Sequence, residues 1–138
     1  MNFVDTNILV YSILANQAPE KHVIAIRLLQ EPNLRLSSQV VNELVSALRL
    51  KGKLLDDHIR RILEDLYFRL EVIDLISEDI FAAFSLRDRY NFSYWDSLLV
   101  ATALRSGAKN LYSEDMQHGL VVDGRMTIWN PFTHGIIE

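Results

Sequence analysis

The sequence predicts an α/β fold in which helices cover both faces of a five-stranded, mostly parallel sheet. Five short runs rich in β-branched or aromatic residues are each too short to form a helix. Segments with helical periodicity separate these runs. Strands that alternate with helices of this length favour right-handed βαβ units, so we expect a parallel sheet between two layers of helices.

The predicted strands are apolar runs bounded by polar or turn-forming residues. In chain order they are "NFVD" (2–5), "LRLSS" (34–38), "EVIDL" (71–75), "NLYSE" (110–114) and "MTIWN" (126–130).

Six segments between these strands have helical periodicity, and several carry end signals. Pro19 suits a first helical turn, and Gly52 and Gly107 suit helix ends. The segments are 7–15, 19–31, 38–52, 55–70, 77–91 and 94–107, with loops expected at 53–56 and 116–126.

Length and composition limit the class of protein. The 138 residues fit a single domain over 1–138, and the 49% apolar share is ordinary for a globular protein. The absence of cysteine excludes disulfides, thiolate catalysis and cysteine-based zinc sites. No segment resembles a membrane span or a secretion signal, so a cytoplasmic protein without a membrane partner is expected.

The net charge of −4 provides no global argument for a nucleic-acid partner and does not exclude one. The basic runs at 49–53 and 58–61 suit either contacts with phosphates or a solvated helix face. The aromatic cluster at 90–95 could stack on RNA bases, but core packing or a dimer interface is the favoured interpretation.

Four acidic residues are predicted to meet at one edge of the sheet. Asp5 ends the first strand, and Asp115 follows the fourth. Glu43 borders the apolar stripe of the helix that follows the second strand, and Asp96 lies in the first turn of a later helix. Ligands of open parallel sheets bind beyond the carboxyl ends of the strands, which is where these acids are expected.

Each acid also has a purely structural explanation. Asp5 suits a helix cap, Asp96 an ordinary first-turn acid, Glu43 a solvated helix edge, and Asp115 a turn, with Glu114 competing for its role. The coincidence of four acids on one edge favours a shared role, because crowded carboxylates repel one another unless cations bind them.

Oxygen ligands of this kind suit Mg²⁺ or Mn²⁺, which bind through a few carboxylates and through substrate phosphate oxygens. Such a site suits phosphodiester hydrolysis. The hydroxyl and amide groups of Thr6, Asn7 and Ser38 are candidates to bond a carboxylate or the substrate, although such residues near helix starts are more often plain caps.

Four segments together resemble the PIN-domain ribonucleases, in particular the VapC-type toxins of prokaryotic toxin–antitoxin pairs. The segments are "FVDTNILVY" (3–11), "SSQVVNEL" (37–44), "YWDSLLVATAL" (94–104) and "LYSEDMQHG" (111–119). The resemblance implies a three-layer α/β/α fold, Mg²⁺- or Mn²⁺-dependent endoribonuclease activity, a homodimer and an inhibitory antitoxin partner. It assigns the catalytic and metal-binding roles to Asp5, Glu43, Asp96 and Asp115.

Three other classes fit the sequence less well. A haloacid-dehalogenase-like phosphatase has a second aspartate two residues after its nucleophile, where this chain has Asn7. A phosphoacceptor receiver domain has an adjacent acid pair near the first strand, which "FVDTN" lacks. A PIN fold that only binds RNA or protein is disfavoured by the presence of all four acids.

Overall fold

The computed structural model describes all residues from Met1 to Glu138 and has six strands and seven helices. The strands are β1 (Asn2–Val4), β2 (Leu34–Ser37), β3 (Glu71–Ile73), β4 (Asn110–Tyr112), β5 (Val121–Val122) and β6 (Met126–Trp129). The helices are α1 (Thr6–Ile13), α2 (Pro19–Leu28), α3 (Ser38–Leu50), α4 (Asp56–Arg69), α5 (Ser77–Arg89), α6 (Tyr94–Arg105) and α7 (Pro131–His134).

The strands form one sheet in the order β3-β2-β1-β4-β6-β5. Every neighbouring pair is parallel except β5 and β6. The chain first moves from β1 outward to β3 and then returns to the other side of β1 as β4. The boundary between β1 and β4 is therefore the topological switch point, where parallel α/β sheets form their ligand sites.

Helix α1 contacts α2 and α3, α3 contacts α4, and α5 packs mainly on α6. Right-handed crossovers that run in opposite directions along the sheet place these two groups on opposite faces. A core cluster of 29 buried residues fills the space between them, with Phe3, Leu36 and Leu111 fully buried on the central strands. The predicted α/β fold with helices on both faces is confirmed.

The prediction of five strands was wrong by one, because β5 lies inside the segment 116–126 that was expected to be a loop. Asp123 and Gly124 both have positive φ, and the Arg125 N–H bonds the Val122 carbonyl. These features define a type I′ turn, for which an Asp-Gly pair is the usual signal. A two-residue strand is too short to show alternation, so the turn was its only sequence signal.

The short helix α7 was also not predicted. Pro131 occupies its first turn, and the Asn130 side chain accepts a hydrogen bond from the Phe132 N–H at 2.9 Å. No helix of the structure is both long enough and apolar enough to span a membrane.

Candidate active site

The candidate site lies at the switch point between β1 and β4. The Asp5 N–H donates to the Tyr112 carbonyl at 2.9 Å, which extends the pairing of these strands by one residue. The chain then turns into α1 on one side and into the 113–115 segment on the other. Side chains that follow both strands therefore emerge together at one edge of the sheet.

Asp5 is the buried member of the site, with 8% of its surface exposed. Its Oδ1 accepts a hydrogen bond from the Thr6 N–H at 2.6 Å, and its Oδ2 accepts one from the Ser113 hydroxyl at 2.8 Å. Burial raises the pKa of Asp5 to about 6, with smaller increases from Glu43 and Asp96, although the two hydrogen bonds oppose the shift. Asp5 is thus both the cap of α1 and a member of the acidic site.

Glu43 reaches the same edge from α3, on the border of that helix's buried stripe. Its Oε2 accepts a hydrogen bond from the Thr6 hydroxyl at 3.0 Å, and its Oε1 accepts one from Gln39 Nε2 at 2.8 Å. The carboxylate is held at both oxygens while the residue as a whole is exposed. Thr6 therefore contacts one predicted acid through its side chain and another through its backbone.

Asp96 lies in the first turn of α6, where the helix dipole favours an anion. The cap of this helix is Ser93, whose hydroxyl accepts a hydrogen bond from the Asp96 N–H at 3.1 Å. Burial raises the pKa of Asp96, Ser93 opposes the shift, and the negative charges of Asp115 and Glu43 add to it. Asp96 is not needed as the cap, and its carboxylate lies in the field of two other acids.

Asp115 and Glu114 differ in their surroundings. Glu114 accepts hydrogen bonds from Tyr11 and Asn7 and forms a 2.7 Å ion pair with Lys21, so its charge is already balanced. Asp115 is exposed and accepts one bond from Asn7 Nδ2, at 3.0 Å. Burial raises the pKa of Asp115 and Glu114 adds to the shift, while Lys21 and Lys51 oppose it. Asp115 is the acid of this pair that remains open to a ligand.

The donor set suits a hard divalent cation, because every candidate ligand atom is a carboxylate, hydroxyl or amide oxygen. No group of three or more acidic, histidine or cysteine side chains is arranged to hold a metal ion directly. Mg²⁺ usually retains several waters and binds through one or two carboxylates. An ion bound here would therefore retain several of its waters rather than be enclosed by protein ligands.

Ser38 lies apart from the interactions just described, since its hydroxyl accepts a hydrogen bond from the Leu75 N–H at 2.9 Å. Its contact with substrate or a carboxylate stays a prediction. Sequence reasoning missed Ser113 and Gln39, each of which holds an acid. Ser113 lies near the end of the predicted fourth strand, two residues before Asp115, and that position was a usable signal. Gln39 lies one turn before Glu43, a spacing that suits a hydrogen bond between helix side chains.

The sheet topology and the four acids define an α/β domain with a carboxylate site at its switch point. The PIN domain model matches residues 3–120, and the chain therefore belongs to the PIN domain family. PIN domains are a nuclease family. No curated protein sequence matches the chain significantly.

Solved structures with the same fold include toxins and toxin–antitoxin complexes. VapC20 of Mycobacterium tuberculosis, a sarcin–ricin loop cleaving toxin, is 20% identical over 83% of this chain and 90% of its own, with a TM-score of 0.66. A toxin–antitoxin complex from Klebsiella pneumoniae is 18% identical over 95% of this chain and 98% of its own, with a TM-score of 0.69. VapBC2 of Rickettsia felis, solved with a promoter DNA fragment, is 20% identical over 94% of this chain and 98% of its own, with a TM-score of 0.65.

Proposed function

We propose that the protein is a metal-dependent endoribonuclease that hydrolyses RNA phosphodiester bonds and acts as the toxin of a toxin–antitoxin pair. The observation that carries this proposal is the meeting of Asp5, Glu43, Asp96 and Asp115 at the switch point of a PIN fold. The toxin structures that share the fold support it.

Asp5, Glu43, Asp96 and Asp115 would together hold a hydrated Mg²⁺ or Mn²⁺ ion. When bound, the ion supplies positive charge to the scissile phosphate and acidifies a water for attack. The chain's own groups keep the carboxylates in place: Ser113 and the Thr6 N–H hold Asp5, and the Thr6 hydroxyl holds Glu43. Asn7 holds Asp115 from the first turn of α1. Two successive residues, Thr6 and Asn7, therefore contact acids from different elements.

Incubation of the purified protein with a pool of structured RNAs tests the activity. We expect internal cleavage with Mg²⁺ or Mn²⁺ and none with excess chelator. Asp96→Asn should abolish most cleavage, whereas Asp88→Asn, which changes an exposed acid of α5, should retain it. Cleavage that survives chelation or survives Asp96→Asn would refute the mechanism, and metal-independent RNA binding without cleavage would indicate a PIN-fold binding module.

We further infer that a small antitoxin protein binds this chain, as in the complexes from Klebsiella pneumoniae and Rickettsia felis. A partly apolar groove of about 490 Å³ between α1, α2 and α4 supports this, because Leu9, Leu29 and Ile62 line it and could receive an amphipathic helix. Purification from the native host should recover a small partner, and consistent recovery of free protein would contradict the inference. A homodimer is expected by light scattering of the purified chain.

A further inference from the structure

A second groove opens beside the acidic site, between the start of α3 and the start of α6. Its volume is about 510 Å³, which is in the range of pockets that hold small organic ligands. Gln39 and Asn42 line it on α3, Trp95 lines it on α6, and Leu75 closes one side. Glu43 also lines the groove, so the acidic site and the groove share a wall.

Gln39, which lines this groove, has a buried hydrogen-bond acceptor without a partner. The residue is 9% exposed, and its Nε2 donates to Glu43 Oε1 at 2.8 Å and to the Trp95 carbonyl at 3.0 Å. Both partners are acceptors, so they determine which end of the amide is the nitrogen. Gln39 Oε1 is the one buried side-chain polar atom of the chain without a partner. An unpaired buried acceptor is unfavourable. Because this oxygen has almost no accessible surface in the free protein, a ligand N–H would satisfy it once the Gln39 side chain moves to expose it.

Trp95 adds an aromatic surface at the same place. It is 64% exposed. Its ring meets Tyr94 edge-on at 5.3 Å, which leaves most of the indole free. Trp95 precedes Asp96 in the chain, and its backbone is joined to Glu43 through Gln39. A planar ligand stacked on the indole would lie next to the acids.

We propose that this groove binds one nucleobase of the RNA substrate, next to the cleaved phosphodiester. The base stacks on Trp95, the Gln39 side chain moves to expose Oε1, and a ring or exocyclic N–H of the base donates to that oxygen. This inference rests on the proposed function and assigns it a specificity-determining subsite. RNA is commonly read in this way, by stacking of an unpaired base on an aromatic residue and hydrogen bonds to the base edge.

Binding without metal tests the subsite separately from catalysis. Fluorescently labelled hexamers of adenylate, cytidylate and uridylate are titrated with protein in excess chelator. Trp95→Leu should weaken binding roughly 5- to 150-fold, the range measured for loss of one stacked base, and Trp95→Phe should restore part of the loss. Gln39→Met should reduce the difference in affinity between the three hexamers. Phe68→Leu, at an aromatic residue 91% exposed on α4, is the matched control and should change nothing.

Direct contact is measured in a Trp129→Phe background, where Trp95 is the remaining tryptophan. Its fluorescence should be quenched on addition of a nucleoside monophosphate. Unchanged hexamer binding by Trp95→Leu would overturn the subsite. If that variant also forms a smaller oligomer than the parent, the face around Trp95 contacts a second copy of the chain instead of RNA. Cleavage that is normal in Trp95→Leu refutes the subsite alone, whereas Trp95-dependent binding without metal-stimulated cleavage refutes the proposed function alone.

Discussion

Replacing Asp5 with asparagine should stabilise the metal-free protein at neutral pH. Burial raises the pKa of Asp5 from 3.8 to about 6, so the folded protein binds this proton more tightly than the unfolded chain does. The ionised carboxylate therefore destabilises the fold above a pH of about 6. That destabilisation decreases as the pH falls and disappears below the unfolded value of 3.8.

The size of the effect follows from the shift. A difference of about two pKa units corresponds to about 3 kcal/mol at neutral pH. Because Asp5 is only 8% exposed, screening by solvent reduces this free energy only slightly. Asparagine caps helices about as well as aspartate, and the Ser113 hydroxyl can rotate to accept from the new amide. The melting temperature in chelator should rise by roughly 6–12 °C.

Melting curves in excess chelator at several pH values, for the parent and Asp5→Asn, measure this effect. The difference in melting temperature between the two proteins should be largest at pH 7.5 and should decrease towards zero as the pH approaches 4. Asp88→Asn is the control and should stay within about 0.5 kcal/mol of the parent at each pH. Added Mg²⁺ should stabilise the parent more than Asp5→Asn, because binding to the folded state stabilises by mass action. A lower melting temperature for Asp5→Asn at pH 7.5 would refute the reasoning.

Three further variants test the acidic site and a buried ion pair outside it. Asp96→Asn should melt in chelator at or above the melting temperature of the parent, although loss of the helix-dipole interaction opposes this by about 0.3–1 kcal/mol. Its melting temperature should rise less than that of the parent when Mg²⁺ is added. A clearly lower melting temperature in chelator, with the same rise on addition of Mg²⁺, would show that Asp96 is not a ligand. Thr6→Val removes the hydroxyl that holds Glu43, so cleavage should fall while stability changes by about 1 kcal/mol; full activity would show that this bond does not position Glu43. Asp79→Ala should destabilise by about 2–4 kcal/mol in chemical denaturation, because Asp79 is 1% exposed and pairs with the partly exposed Arg105; a change under about 0.5 kcal/mol would contradict this.

Much of the fold could be predicted because its elements are encoded locally. Pro19 begins α2 as expected, and α3 and α6 end within two residues of the glycines expected to terminate them. The five predicted strands all appear, each shortened at its carboxyl end. The strand that was missed, β5, has two residues, and α7 has four. Elements this short depend on turns and on packing rather than on periodicity, so the sequence pattern indicates them only weakly.

The candidate site was predictable as a set of acids, because strand ends and first helical turns are positions that a pattern identifies. The sequence by itself placed Asp5, Asp96 and Asp115 at such positions and identified the edge of the sheet to which they belong. The choice between Glu114 and Asp115 depended on Lys21 and Tyr11, which α1 and α2 bring to Glu114 across the fold.

Only the tertiary structure decided which groups hold the acids. Thr6 and Glu43 are 37 residues apart, Gln39 and Trp95 are 56 apart, and Asp5 and Ser113 are 108 apart. Hydrogen bonds depend on distances of about 3 Å and on direction, and no local pattern specifies these for residues on different elements. The strand order brings β4 beside β1 and thereby creates both the buried environment of Asp5 and its partner. Composition and periodicity determined the helices and strands of this protein, whereas the strand order determined which side chains meet at the acidic site.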